Sequence, residues 1–113
     1  MDGKLIFILL LNGIGLLEVI LGVPLFLEKI PPNGLYGFRT EKTLSNPEIW
    51  YKVNKYSARD LIIGGLATVA VSIGLLIFRN KLEDYLCFAV FLVIVNLCPA
   101  IAIIRGLMYL KKI

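Results

Sequence analysis

Three long apolar runs alternate with polar segments along the chain, at about residues 5–27, 61–78 and 86–110. Each run is long enough to cross ~30 Å of hydrocarbon as a helix. Helices are required there because lipid offers no hydrogen-bond partners to the backbone. The pattern therefore predicts an all-α integral membrane protein with three transmembrane helices, and we expect residues 1–113 to form a single membrane domain.

The connections between the runs differ greatly in length. The turn at 79–84 is short, so the second and third spans should form an antiparallel helical hairpin. The connection at 28–60 is long for so small a protein, and long connections that are ordered are usually functional. We therefore expect the function to reside in this polar and amphipathic loop.

The second half of the loop is predicted to form a short helix of its own. Asn46-Pro47 is a typical helix start, and the helix should run from Pro47 to about Ser57. Its apolar side chains should place aromatic rings at headgroup depth, as in an interfacial amphipathic helix. These apolar residues are Ile49, Trp50, Val53 and Tyr56.

Composition and charge support a membrane protein. The chain is 58% apolar and 18% charged, with a net charge of +4, which fits contact with anionic lipid headgroups. No basic cluster with interleaved aromatic residues stands apart from the spans, so we expect no nucleic-acid partner. Eight Lys and Arg residues lie on the side of the loop and the C-terminus, against three on the other side, which predicts a cytoplasmic loop.

Metal and disulfide chemistry find little support in the sequence. Histidine is absent and no Cys-x-x-Cys motif occurs, so neither a zinc site nor another cofactor is expected. Cys87 and Cys98 would lie roughly 16 Å apart on one helix, too far to bridge. We also expect no catalytic residues, because there is no histidine base, serine nucleophile motif or metal motif.

Several polar residues fall inside the predicted spans, where they are costly and often functional. Small and polar residues of the first span share one face, and Gly64, Thr68 and Ser72 form a small-residue stripe on the second span, so these faces should meet. Measured from the loop side, Arg105 lies roughly 9 Å below Lys111 and Glu18 roughly 15 Å below Glu28. This leads to the hypothesis that their side chains are long enough to pair. The alternatives are interhelical hydrogen bonding and snorkelling of the arginine to the interface. The intramembrane polar candidates are Asn12, Glu18, Asn96 and Arg105.

The loop carries an ordered set of residues: Pro32-Asn33, Gly37, Arg39-Thr40, Thr43, Trp50 and Asn54. This set resembles the SdpI-like family of bacterial and archaeal membrane proteins, whose named member protects its cell against a secreted, membrane-active toxin. The resemblance implies a short helical membrane unit in the plasma membrane of a prokaryote, with a role in toxin immunity. The motif residues of the family, carried over by position, are Asn33, Gly37, Arg39, Thr40, Thr43 and Trp50, and Asn54 stands where many relatives have histidine. We take these seven positions as candidate ligand-binding residues.

The loop residues have the chemistry of a recognition site. The planar guanidinium of Arg39 suits phosphate or carboxylate, and its neighbours add neutral donors and acceptors. We therefore expect a binding protein that recognises a membrane-active peptide or a lipid headgroup, with membrane lipids and a peptide toxin as partners. In the structural alternative, Arg39 satisfies carbonyl groups at the end of the first span and Trp50 belongs to the interfacial aromatic belt.

Two other functions remain open on the sequence. The first is a small transporter that uses Glu18 as a coupling site; it would need a homo-oligomer, because three spans alone rarely enclose a path. The second, which has less support, is an enzyme that modifies a lipid or peptide at the interface. A homo-oligomer is expected for the binding protein as well.

Overall fold

Three long helices dominate the computed structural model, which describes residues 2–113. They are α1 (Gly3–Phe26), α3 (Pro47–Ile77) and α4 (Asp84–Lys112), and a short helix α2 (Glu41–Ser45) lies in the loop. All three long helices have the length and apolar character needed to cross a membrane. The described residues contain no strand, so the prediction of an all-α membrane protein with three spans is confirmed.

Helix α3 corrects one prediction about the loop. The short amphipathic helix is not a separate interfacial element: it is the first part of a helix of 31 residues that continues into the second span. Asn46 caps its start by accepting a hydrogen bond from the Glu48 amide at 2.9 Å, and Pro47 occupies the first turn. No glycine or proline follows until Gly64. With nothing to interrupt the backbone hydrogen bonds, the helix runs on past Ser57.

Helix α1 packs mainly against α3 through small residues. A Cβ atom added to Gly15 would lie 2.7 Å from the carbonyl oxygen of Gly65, so the two backbones approach as closely as glycine permits. About one helical turn before Gly15 on α1, the Asn12 side-chain amide donates to the Ser72 hydroxyl at 2.9 Å. The predicted meeting of the two small-residue faces is confirmed.

The turn Arg79–Lys81 reverses the chain into α4, which completes the bundle. Lys4 fastens this end of the molecule, because its ammonium group donates to the Arg79 carbonyl at 2.8 Å and lies 3.8 Å from the Asp84 carboxylate. Cys87 is buried, and both cysteines are free thiols.

Candidate functional site

Asn33 organises the first turn of the loop. Its side-chain amide donates to the carbonyl groups of Pro31 and Tyr36, at 2.8 and 3.0 Å. Its carboxamide oxygen accepts from the backbone amides of Leu35 and Tyr36, at 2.9 and 2.7 Å. These four bonds use the whole hydrogen-bonding capacity of the side chain. Asn33 therefore fixes the conformation of the turn at residues 31–36.

Asn54 joins the loop to α3. It is buried, and its carboxamide oxygen accepts from the Phe38 amide at 2.6 Å, while its nitrogen donates to the Trp50 carbonyl at 2.9 Å. Gly37 makes this approach feasible. Its φ of 124° lies in the region that favours glycine, and an added Cβ would lie 2.8 Å from the Asn54 oxygen.

Thr40 and Thr43 cap the short helix α2. The Thr40 hydroxyl accepts from the Thr43 amide at 3.1 Å, and the Thr43 hydroxyl accepts from the Thr40 amide at 2.7 Å. This reciprocal arrangement is a capping box. The buried Thr43 hydroxyl also lies 3.1 Å from the Phe38 carbonyl oxygen, so it ties the helix to the preceding loop segment.

Trp50 occupies a different environment from the one predicted. It is completely buried, and its indole nitrogen donates to the Ile30 carbonyl at 2.8 Å. The interpretation of this ring as part of an interfacial belt is wrong, because the loop folds over it. Tyr56 does not share its side of the helix either: it stacks on Tyr109 of α4, with ring centroids 4.3 Å apart.

Arg39 is the motif side chain that faces outward. It is exposed, donates to the Gly34 carbonyl group, and forms no ion pair with any of residues 2–113. The neighbouring Leu35 is 92% exposed. A permanent cation and an apolar side chain thus project from a loop that is braced from within.

A cavity of about 290 Å³ lies beneath the loop, between the three long helices. Its walls are mainly apolar, and no sequence pattern indicates it because its lining is drawn from four separate segments. The Ser57 hydroxyl is buried nearby and has no hydrogen-bond partner among the described residues. Burial also raises the pKa of the Tyr36 phenol, which donates to the Leu21 carbonyl. The lining includes Leu21, Leu25, Tyr36, Phe38, Ser57 and Pro99.

The intramembrane polar residues do not form one site. The predicted pairing of Glu18 with Arg105 is wrong: the Arg105 side chain donates to the Asp60 carboxylate at 2.7 Å. Asp60 lies near the middle of α3, immediately before the apolar stretch that begins at Leu61, and at the level of Arg105 on the antiparallel α4. Glu18 instead faces the α3 glycines, and one of its carboxylate oxygens has no partner within the described chain. Asn96 donates to the Leu92 carbonyl of its own helix at 2.8 Å.

The fold and the hydrogen-bonded loop define a small α-helical membrane protein with an ordered loop surface at one end of its helix bundle. The chain belongs to the SdpI/YfhL protein family, which it matches over residues 29–109. This confirms the resemblance seen in the loop, and the match extends through α3 and most of α4.

The chain is also similar to a bacterial protein. It is "Uncharacterized protein YfhL" of Bacillus subtilis (strain 168), which is 36% identical over 69 residues. The aligned segment covers 58% of this chain and 59% of the relative, so the match spans about three fifths of that protein. No solved structure matches the chain.

Proposed function

We propose that this protein is an SdpI-like immunity protein of the prokaryotic plasma membrane. It holds a membrane-active peptide or a lipid headgroup at the loop end of its helix bundle, and it works as a homo-oligomer. Membership of the SdpI/YfhL family supports the immunity role. Recognition at the loop is supported by the chemistry of the side chains that the folded loop leaves outside.

The observation that carries the proposal is a difference among the motif residues: most are hydrogen-bonded within the loop, whereas Arg39 is exposed. Four motif residues use their polar groups in hydrogen bonds to the backbone of the loop: Asn33, Thr43, Trp50 and Asn54. Arg39 has donors to spare after its single bond to the Gly34 carbonyl. A rigid scaffold that presents one unpaired guanidinium is suited to binding carboxylate or phosphate with little loss of conformational entropy.

Native mass spectrometry of the protein extracted gently from membranes tests the proposal. We expect the wild type to retain a lipid or peptide adduct that Arg39→Ala loses, and the adduct mass would reveal the class of ligand. Lys29→Ala is the matched control, because it removes an exposed cation of the same loop and should keep the adduct. Equal adducts in all three samples, or none in any, would contradict loop recognition. The same spectra count the subunits.

A test in cells addresses immunity directly. Cells that express the wild type should survive a secreted membrane-active toxin at concentrations that kill cells with the Arg39→Ala variant, at equal protein levels. Equal survival of both strains would show that Arg39 has no part in protection.

Glu18 favours a second candidate function, a small oligomeric transporter. Its unpartnered carboxylate oxygen faces the glycine pair of α3 within the membrane. In liposomes, a transporter would move charge with the wild type and not with Glu18→Gln. Identical currents from wild type, variant and empty liposomes would eliminate this candidate.

A further inference from the structure

The face of α3 that turns away from the loop carries an unexpected cluster of cations and aromatic rings. At ~100° per residue, Trp50, Asn54 and Ala58 point toward the loop, residues 52, 56 and 59 point roughly the opposite way, and Lys55 lies at the edge between the two faces. These four residues line a groove of about 280 Å³ at the loop end of the bundle. Its other walls are Phe26, Glu28 and Tyr109.

The cations of this groove are held in place without being neutralised. The Lys55 ammonium lies 5.3 Å from the centre of the Phe26 ring, and the Arg59 guanidinium lies 5.2 Å from that of Tyr56. Neither group forms an ion pair or donates a side-chain hydrogen bond to any of residues 2–113. Cation–π contact leaves their N–H groups free to bind a ligand.

Two aromatic rings stiffen the floor of the groove. Tyr56 stacks on Tyr109 with an angle of 4° between the ring planes. Arg105 lies over Tyr56 at 5.6 Å on the same patch, but its charge is matched by Asp60. The ring pair therefore supports Arg59 from α3 and α4 together, so the position of the cation depends on the packing of the bundle.

The charge of the lining selects an anion. Three cations, Lys52, Lys55 and Arg59, face one carboxylate, Glu28, in the groove. Lys52 is partly neutralised by Glu48, one helical turn earlier, at 3.3 Å. The positions left unmatched are Lys55 and Arg59.

The depth of the groove identifies the source of the anion. Asp60 is the last charged residue of α3 before the uncharged stretch of residues 61–77, so the helix enters hydrocarbon immediately below Arg59. Lys55 and Arg59 consequently lie at the level of lipid headgroups, where tyrosine rings are also preferred. We propose that the groove is a binding site for the phosphate of an anionic phospholipid, with Lys55 and Arg59 as its ligands. This inference does not rest on the proposed immunity function or on Arg39.

Titration with defined lipids tests the site. The detergent-solubilised protein is mixed with phosphatidylglycerol or with phosphatidylcholine, and bound lipid is counted by native mass spectrometry. We expect retention of phosphatidylglycerol, and a loss of affinity of roughly 30-fold in the Lys55→Gln/Arg59→Gln double variant, at about 5-fold per cation. Both side chains are exposed, so the unfolding temperature should stay at the wild-type value.

The matched control removes two charges elsewhere at the same end of the molecule. Lys111→Gln/Lys112→Gln lowers the net charge equally but lies outside the groove, and it should bind phosphatidylglycerol like the wild type. Equal losses in the two double variants would overturn the proposal in favour of a diffuse charge effect, and so would equal retention of both lipids by the wild type. Displacement of the lipid by inorganic phosphate at equal concentration would show that the free anion, rather than a lipid, is the ligand.

Discussion

Gly37 is the residue on which the docking of the loop depends most directly. A side chain there would adopt an unfavourable φ and would also meet Asn54 and Trp50. We expect Gly37→Ala to lower the free energy of unfolding by about 1–3 kcal/mol, since both backbone strain and steric overlap oppose it. Thermal unfolding in detergent measures the effect.

The tryptophan provides a second readout of the same substitution. Trp50 is the only tryptophan in the chain and is completely buried, so its emission should shift to longer wavelength if the loop lifts. Gly34→Ala is the control, because its added Cβ meets nothing within 4 Å. Wild-type stability and emission in Gly37→Ala would show that the loop does not depend on this close approach.

At the scale of single residues, the sequence indicates which side chains form hydrogen bonds but not which backbone groups they bond to. The residue types of the loop indicated hydrogen bonding and turn formation, and Asn33, Thr40 and Thr43 do both. Which carbonyl each donor meets depends on how the chain returns on itself. Trp50 is an example. Its hydrogen bond to the Ile30 carbonyl requires the loop to fold over α3, and no local sequence pattern encodes that folding.

Among the elements, the contact between α1 and α3 should be the most sensitive to side-chain volume. A Cβ on Gly15 would lie 2.7 Å from a carbonyl oxygen of α3, and backbone cannot move aside as a side chain can. We expect Gly15→Ala to destabilise the protein by about 1–3 kcal/mol. Gly13→Ala, whose Cβ meets nothing within 4 Å, should be neutral or slightly stabilising because alanine favours helix. Similar unfolding temperatures for the two variants would contradict this packing.

The contact between α3 and α4 can be tested by a double-mutant cycle. Asp60→Asn and Arg105→Gln should be coupled by about 0.2–1 kcal/mol, a small value because Arg105 is partly exposed. Glu18→Gln and Arg105→Gln should instead act additively in thermal unfolding. Coupling of Arg105 to Glu18 with none to Asp60 would restore the pairing that the sequence suggested.

The spans were predictable because apolar length alone defines them, and each observed helix contains most of its predicted run. The continuity of α3 was harder to foresee. The change from polar to apolar residues near Asp60 looks like an element boundary, but it marks the start of the apolar part of α3 instead of the end of a helix. Helix continuity depends on backbone hydrogen bonds, which that change in polarity does not interrupt.

For the whole molecule, the distribution of lysine and arginine predicts that the loop faces the cytoplasm. Leu35→Cys, in a chain with Cys87 and Cys98 replaced by serine, would place a reactive thiol at a fully accessible position. A membrane-impermeant maleimide should label it in inverted vesicles and not in intact cells. Asn80→Cys, in the opposite turn, should show the reverse. Labelling of the loop variant in intact cells would invert the assigned orientation.

The length of α3 has a mechanical consequence. Residues 47–60 continue the second span as a stiff arm about 21 Å long, with no glycine or proline after Pro47 to act as a hinge. The loop is clasped to this arm through Trp50 and Asn54. We expect a force applied to the loop to tilt α3 about the point where the helix enters the membrane. The turn Arg79–Lys81, at the far end of the same rod, would then swing in the opposite direction, and spin labels at both ends would record the motion.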